Sequence, residues 1–93
     1  MDVEGRMYPI DVEAWVEING TITPNKIIYN RQVHQITKIY KVFEGLRDQN
    51  MAISSYTYIV QVDGWTKKIY YNARENQWYG VSNSEVAYAT PKN

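Results

Sequence analysis

The sequence contains no cysteine and only one histidine among its 93 residues. Without cysteine the chain cannot form a disulfide, a thiolate zinc site or a cysteine nucleophile. A single histidine, His34, also makes a zinc site with several histidine ligands impossible and a Ser-His-Asp triad a poor explanation. The composition therefore predicts a protein that is not an enzyme and has no catalytic residues, metal or cofactor.

Long apolar runs and an excess of charge of one sign are also missing. No segment approaches the ~20 apolar residues that cross a bilayer, and the first residues are neither basic nor followed by an apolar stretch. We expect a cytoplasmic protein without a membrane partner. Ten acidic and ten basic residues give a formal net charge of zero, which argues against a strongly electrostatic DNA-binding protein but allows local basic patches.

Tyrosine is abundant, with nine residues against a single phenylalanine, and many of the tyrosines fall in the strongest structural pattern of the chain. This pattern runs from Ser55 to Asn72, where two β-rich arms flank Asp63-Gly64. A two-residue turn would pair Val62 with Trp65, and cross-strand partners share a face of the sheet. The predicted inner, core-forming face then comprises Tyr56, Tyr58, Val60, Val62, Trp65, Ile69 and Tyr71. Lys67 falls on this face too and must extend to an edge or find an acidic partner.

The first half of the chain predicts a second set of strands. Apolar and polar residues alternate from Ile10 to Ile18, as in a half-buried strand. Asn19-Gly20 is typical of a two-residue type I′ turn. A short strand follows at residues 21–23, which Pro24 must bend or place at an edge.

The next strand is expected over residues 26–29. Asn30-Arg31 is the predicted turn after it, and because arginine tolerates positive φ poorly, this turn should be strained or longer than two residues. Residues 33–43 could form a helical stripe, but their many β-branched and aromatic side chains favour a strand. Because apolar residues would lie on both of its faces, this strand should be covered on both sides or carry a β-bulge.

Together these patterns predict an all-β fold. We expect one domain, residues 1–93, with five to six antiparallel strands in a meander that curls into a small, partly open barrel of the SH3-like or OB-like kind. Residues 1–9 would be a loose lead-in, residues 10–81 the β core, and residues 82–93 a short helical turn followed by a frayed tail. The last expectation comes from the capping-box spacing of Ser82 and Glu85.

Five short motifs follow one another between residues 12 and 81. They are Ala14-Trp15-Val16, Gly20-Thr-Ile-Thr-Pro24, Ile36-Thr-Lys-Ile39-Tyr, Tyr56-Thr-Tyr-Ile-Val-Gln-Val and Gln77-Trp78-Tyr79. This arrangement resembles small bacterial all-β proteins of unknown function, although Arg31 stands where a glycine would suit the turn better. The resemblance implies a bacterial cytosolic domain, and it carries no catalytic signature.

Basic and aromatic residues interleave on the predicted sheet. Lys68 and Tyr70 share the outer face of the central hairpin, and further basic residues lie on strands that a meander could place beside it. Such a surface is typical of proteins that stack the bases of single-stranded nucleic acid on rings and follow its phosphates with lysines. The predicted nucleic-acid-binding residues are Lys26, Lys38, Lys41, Lys68 and Tyr70. A simpler alternative is that the tyrosines form cross-strand pairs and the lysines protect strand edges.

A protein-interaction or homodimerisation module is the alternative function. Strands with apolar residues on both faces need a cover, which in a short chain can be a partner protein or a second copy. The predicted interaction patch consists of Trp15, Ile22 and Ile28.

Overall fold

The computed structural model describes residues 6–45 and 53–81 and forms an antiparallel, six-stranded, closed barrel in meander order. The strands are β1 (Met7–Val16), β2 (Ile22–Tyr29), β3 (Gln32–Glu44), β4 (Ser55–Val62), β5 (Trp65–Asn72) and β6 (Gln77–Val81). The predicted small all-β barrel is confirmed. No helix in these ranges is long and apolar enough to span a membrane. The helical turn expected within residues 82–93 lies outside the described residues.

The central hairpin has the predicted register. Val62 pairs with Trp65 and Tyr58 with Ile69 around the two-residue turn of Asp63 (φ 53°) and Gly64 (φ 77°). One member of the predicted core face is wrong, because Trp65 is 52% exposed. It follows directly after the turn, at the end of its strand, and the Lys67 ammonium lies over its ring.

The barrel closes because β1 and β3 each pair with two neighbouring strands. Each of them uses its first residues for one neighbour and its later residues for the other. The first residues of β1 pair with β6, from Met7↔Val81 to Ile10↔Trp78, and the later ones pair with β2. Residues 7–9, expected to be part of a loose lead-in, are therefore strand residues. Similarly, β3 pairs with β2 through Gln32 to Gln35 and with β4 from Ile36 onward.

The segment that could have been a helix is the long strand β3, and it carries the predicted β-bulges. Its register against β4 shifts between Ile36 and Lys38 and again between Ile39 and Lys41. Each shift adds a residue without a partner and so reverses which face the following side chains occupy. This explains why apolar residues occur on both phases of the strand.

One turn and one strand differ from expectation, and a second turn is strained, as predicted. Residues 17–21 connect β1 and β2, and the Glu17 amide donates to the Thr21 carbonyl, so this pair closes a turn of three residues in which Gly20 alone has positive φ (92°). The predicted two-residue type I′ turn there is wrong. The Asn30-Arg31 turn does have only two residues, both with positive φ. Residues on both sides of Pro24 belong to the single strand β2, which bulges at this position against β1 and pairs with β3 only from Lys26 onward.

The core fills the barrel with side chains from all six strands. Its members are Ile10, Ile27, Ile36, Tyr58, Val60, Val62, Ile69 and Trp78. The Tyr58 ring lies 5.5 Å from the Trp78 ring, and its hydroxyl donates to the Ile22 carbonyl at 2.7 Å. A buried side chain of this size contributes roughly 1.5–3 kcal/mol.

Candidate functional site

Three rows of side chains cross β3, β4 and β5 on the outside of the barrel, and we call them the basic outer face. The registers align Lys38 with Gln61 and Thr66, Lys41 with Ile59 and Lys68, and Phe43 with Thr57 and Tyr70. Neighbouring rows lie about 7 Å apart and neighbouring strands about 4.8 Å apart. The nine residues include three lysines and no carboxylate, so the face carries local positive charge on a neutral chain.

The structure thus brings together four of the five predicted nucleic-acid-binding residues: Lys38, Lys41, Lys68 and Tyr70. The fifth, Lys26, lies on β2, which β3 and β4 separate from β5. Its ammonium is 3.6 Å from the Glu13 carboxylate, so its charge is largely compensated.

On the basic outer face, side chains of β3 are exposed to solvent, whereas side chains near the centre of the face are buried. Ile59 is 3% exposed and Thr66 is 2% exposed, although both point away from the core. On β3, the Lys41 ammonium lies 5.4 Å from the centre of the Phe43 ring, and the Lys38 ammonium lies 5.1 Å from the Tyr40 ring. Phe43 is 47% exposed. A ligand would therefore meet Lys38, Lys41 and Phe43 first.

The three residues of the predicted interaction patch do not form one surface. Ile22 packs against the core, whereas Trp15 is 67% exposed near the end of β1. Ile28 is half-buried and pairs with Asp11, several rows from Trp15. The exposed apolar side chains nearest to Trp15 in the chain are instead Val16 and Ile18.

At the opposite end of β1 the barrel contains a cavity of about 210 Å³. The lining residues are Tyr8, Ile10, Ile27, Tyr29, His34, Val62, Asp63, Lys67, Lys68, Ile69, Gly80 and Val81. We call this cavity the barrel mouth. Apolar residues form its floor, and the polar atoms of Tyr8, Tyr29, His34, Asp63 and Lys67 surround it.

Strand alternation explains why polar side chains meet in the barrel mouth. His34 pairs with the buried Ile27, and Lys67 pairs with the buried Val60, so both point into the barrel. Gly80 pairs with Ile69 on the same inner face. A Cβ at position 80 would lie 2.5 Å from Cζ of Tyr8, so the Tyr8 ring can rest against β6 only because residue 80 is glycine.

A hydrogen bond joins the two hairpin turns at this end. His34 Nδ1 lies 2.6 Å from Asp63 Oδ2. Because an ionised carboxylate only accepts, Nδ1 carries the proton and donates, which leaves Nε2 as the second polar atom of the ring. The Tyr8 and Tyr29 rings are 5.4 Å apart, and burial, followed by the neighbouring Tyr29, raises the pKa of the Tyr8 hydroxyl.

The barrel mouth combines a hydrogen-bonded His34–Asp63 pair with a lysine and an apolar floor. No serine, threonine or cysteine is among its described lining residues, so the His34–Asp63 pair has no conventional nucleophile to activate. Among the described residues there is also no group of three or more side chains arranged to hold a metal.

Sequence reasoning did not find the barrel mouth. It treated His34 as a strand residue near a turn and Asp63 as a turn residue. One signal was present, since Lys67 on a predicted core face indicated an unusual inward-facing charge. Comparison of the chain with protein-family models, curated proteins and solved structures finds no match.

Proposed function

We propose that this chain is a non-catalytic binding module that takes single-stranded nucleic acid on its basic outer face. The observation that carries the proposal is the alignment of Lys38, Lys41 and Lys68 in two neighbouring rows beside the exposed Phe43 ring. In single-strand binding proteins, rings stack on bases and lysines follow the phosphates.

The cation–π geometry on β3 suits this role. The Lys41 ammonium lies over the Phe43 ring, 5.4 Å from its centre, so a base would stack on the other face of the ring or displace the ammonium toward the phosphate backbone. Stacking on an aromatic side chain contributes about 1–3 kcal/mol per base. With a neutral chain and few phosphate contacts, we expect weak and salt-sensitive binding.

The test is a fluorescence-anisotropy titration of a labelled single-stranded oligonucleotide at several salt concentrations. Three lysine contacts would give a slope of log K against log salt of about −2, since each neutralised phosphate of a single strand contributes about −0.7. Lys41→Glu and Phe43→Ala should each weaken binding at low salt by about tenfold or more.

Lys26→Glu is the matched control, because it makes the same charge change on β2, outside the three rows of the basic outer face. It should leave most of the affinity intact. Absence of binding at low salt, or equal losses for Lys26→Glu and Lys41→Glu, would contradict the proposal.

A protein-interaction or homodimerisation module is the second candidate, favoured by the three exposed apolar side chains of Trp15, Val16 and Ile18. Exposed apolar residues can mark interaction surfaces, and here Trp15 and Val16 point to opposite faces of β1 while Ile18 lies in the loop that follows. In this case light scattering should show mass increasing with concentration, and Trp15→Ser with Ile18→Ser should abolish the increase. Val33→Ser, at another exposed apolar residue, should not. A monomer at every concentration removes the homodimer.

A further inference from the structure

We propose that the barrel mouth binds a small aromatic carboxylate, with the ring on the apolar floor and the carboxylate against Lys67. Lys68 lines the barrel mouth and also belongs to the basic outer face, but the inference rests on Lys67 and the apolar floor and does not depend on nucleic-acid binding.

The size of the cavity limits the ligand to one ring with a small substituent. An engineered apolar cavity of about 150 Å³ accommodates benzene, and drug-sized ligands occupy pockets of roughly 300–1,000 Å³. The barrel mouth, at about 210 Å³, falls between these two cases.

The walls favour an apolar or aromatic body. The floor consists of Ile10, Ile27, Val62 and Ile69, all buried side chains of the core. The Tyr8 and Tyr29 rings, 5.4 Å apart, form one side and offer surfaces for stacking or edge-to-face contacts. A ligand with a flat apolar body could therefore bury most of its surface here.

The charge balance selects an anion. The Asp63 carboxylate already accepts a hydrogen bond from His34 at 2.6 Å. The Lys67 side chain points into the barrel, and its ammonium lies 5.9 Å from the centre of the Trp65 ring. Among the described residues no carboxylate forms an ion pair with Lys67. An inward-facing lysine without a counter-ion beside a cavity is the arrangement that a ligand carboxylate would complete.

His34 acts as a positioning residue in this site. Its Nδ1 is held by Asp63, which fixes the ring orientation and presents Nε2 as a donor when the imidazole is protonated. The Lys67 ammonium on one side and an apolar floor on the other would orient a planar carboxylate in a single direction.

The experiment is an NMR titration that follows the methyl groups of Ile10, Ile27, Val62 and Ile69. Sodium benzoate is the probe, and benzamide is the uncharged control of nearly equal shape, both at fixed ionic strength. We expect saturable shifts of these methyl groups, with benzoate binding at least about tenfold more tightly than benzamide, as for a charge-assisted hydrogen bond.

Lys67→Met keeps the length and the packing of the side chain and removes its charge, so it should equalise the two affinities. Lys67→Arg should retain the preference for benzoate. Lys41→Met, on the outer face, should leave benzoate binding unchanged while it weakens oligonucleotide binding, which separates the two sites.

Three results would overturn the inference. They are the absence of saturable shifts with benzoate, equal affinity of the wild type for benzoate and benzamide, and an undiminished benzoate preference in Lys67→Met. Because the first two need only the wild-type protein, the inference stays testable even if a substitution prevents folding.

Discussion

At the scale of single residues, Tyr58 shows how a polar atom is accommodated in the core. Its ring is almost fully buried, and its hydroxyl reaches across the barrel to the Ile22 carbonyl. Burial, followed by the nearby phenols of Tyr56 and Tyr71, raises the pKa of this hydroxyl above its ordinary value near 10. A raised pKa means that the folded protein holds this proton more strongly than the unfolded chain does.

Tyr58 is therefore expected to make the protein unstable at high pH. Below pH 10 both states are protonated and the contribution of Tyr58 to stability is complete. Above pH 10 the unfolded chain releases the proton first, so the free energy of unfolding falls as pH rises, by up to ~1.4 kcal/mol per pH unit. Urea denaturation of Tyr58→Phe should show a loss of about 1 kcal/mol at pH 7 and a flatter decline between pH 10 and 12.

Tyr70→Phe is the matched control, since Tyr70 lies on the outer face and forms no part of the core cluster. It should keep the steep alkaline decline of the wild type. If Tyr58→Phe declines as steeply as Tyr70→Phe, Tyr58 is not the group responsible.

At the scale of elements, the two-residue turn between β2 and β3 combines a suitable residue with an unsuitable one. Asn30 (φ 53°) tolerates the left-handed region, whereas Arg31 (φ 65°) does not. The sequence indicated this conflict correctly, because the turn position could be predicted from Asn30-Arg31 alone. Whether the chain would lengthen the turn or accept the strain was decided by the register of β2 against β3.

Replacing this strained arginine with glycine should stabilise the protein. Arg31→Gly removes a left-handed penalty of roughly 1–2 kcal/mol, partly offset by the greater freedom of glycine in the unfolded chain. We expect the free energy of unfolding to rise by about 0.5–1 kcal/mol, measured by thermal and urea denaturation. Gly64→Ala, in the equivalent turn of the central hairpin at φ 77°, should have the opposite effect. A destabilised Arg31→Gly would contradict the strain argument.

The strand β3 shows the limit of pattern reading at the same scale. Its β-branched residues predicted a strand, and the apolar residues on both of its faces predicted a bulge. Neither pattern showed where the two register shifts lie. Those shifts decide that Lys38 and Lys41, which are an odd number of residues apart, both point outward. Without them, period-two alternation would put the two lysines on opposite faces.

At the scale of the whole molecule, closure joins opposite ends of the described chain through β1 and β6, whereas β4 and β5 meet across two turn residues. Contacts between distant residues carry a larger loop-closure entropy and tend to form later in folding. We therefore expect the central hairpin to be ordered in the folding transition state and the β1–β6 pairing to form after it.

The substitutions Ile69→Ala and Ile10→Ala make this order measurable, because both remove the same atoms from the core cluster. Each should cost about 2–5 kcal/mol. Stopped-flow kinetics in denaturant should show that Ile69→Ala mainly slows folding, while Ile10→Ala mainly speeds unfolding. This order is contradicted if both substitutions change the folding and unfolding rates to the same extent. It is also contradicted if Ile10→Ala mainly slows folding while Ile69→Ala mainly speeds unfolding.

The sequence by itself determined the strands, the meander and the register of the central hairpin. Those features depend on alternation and turn chemistry between neighbouring residues, which a sequence displays directly. Only the tertiary structure decided that the barrel closes and that Tyr8, His34, Asp63 and Lys67 surround one cavity. These residues come from three separate segments, namely β1, β3 and the central hairpin. Their meeting depends on bulges and on strand tilt, since a one-residue shift reverses the face of every side chain that follows it.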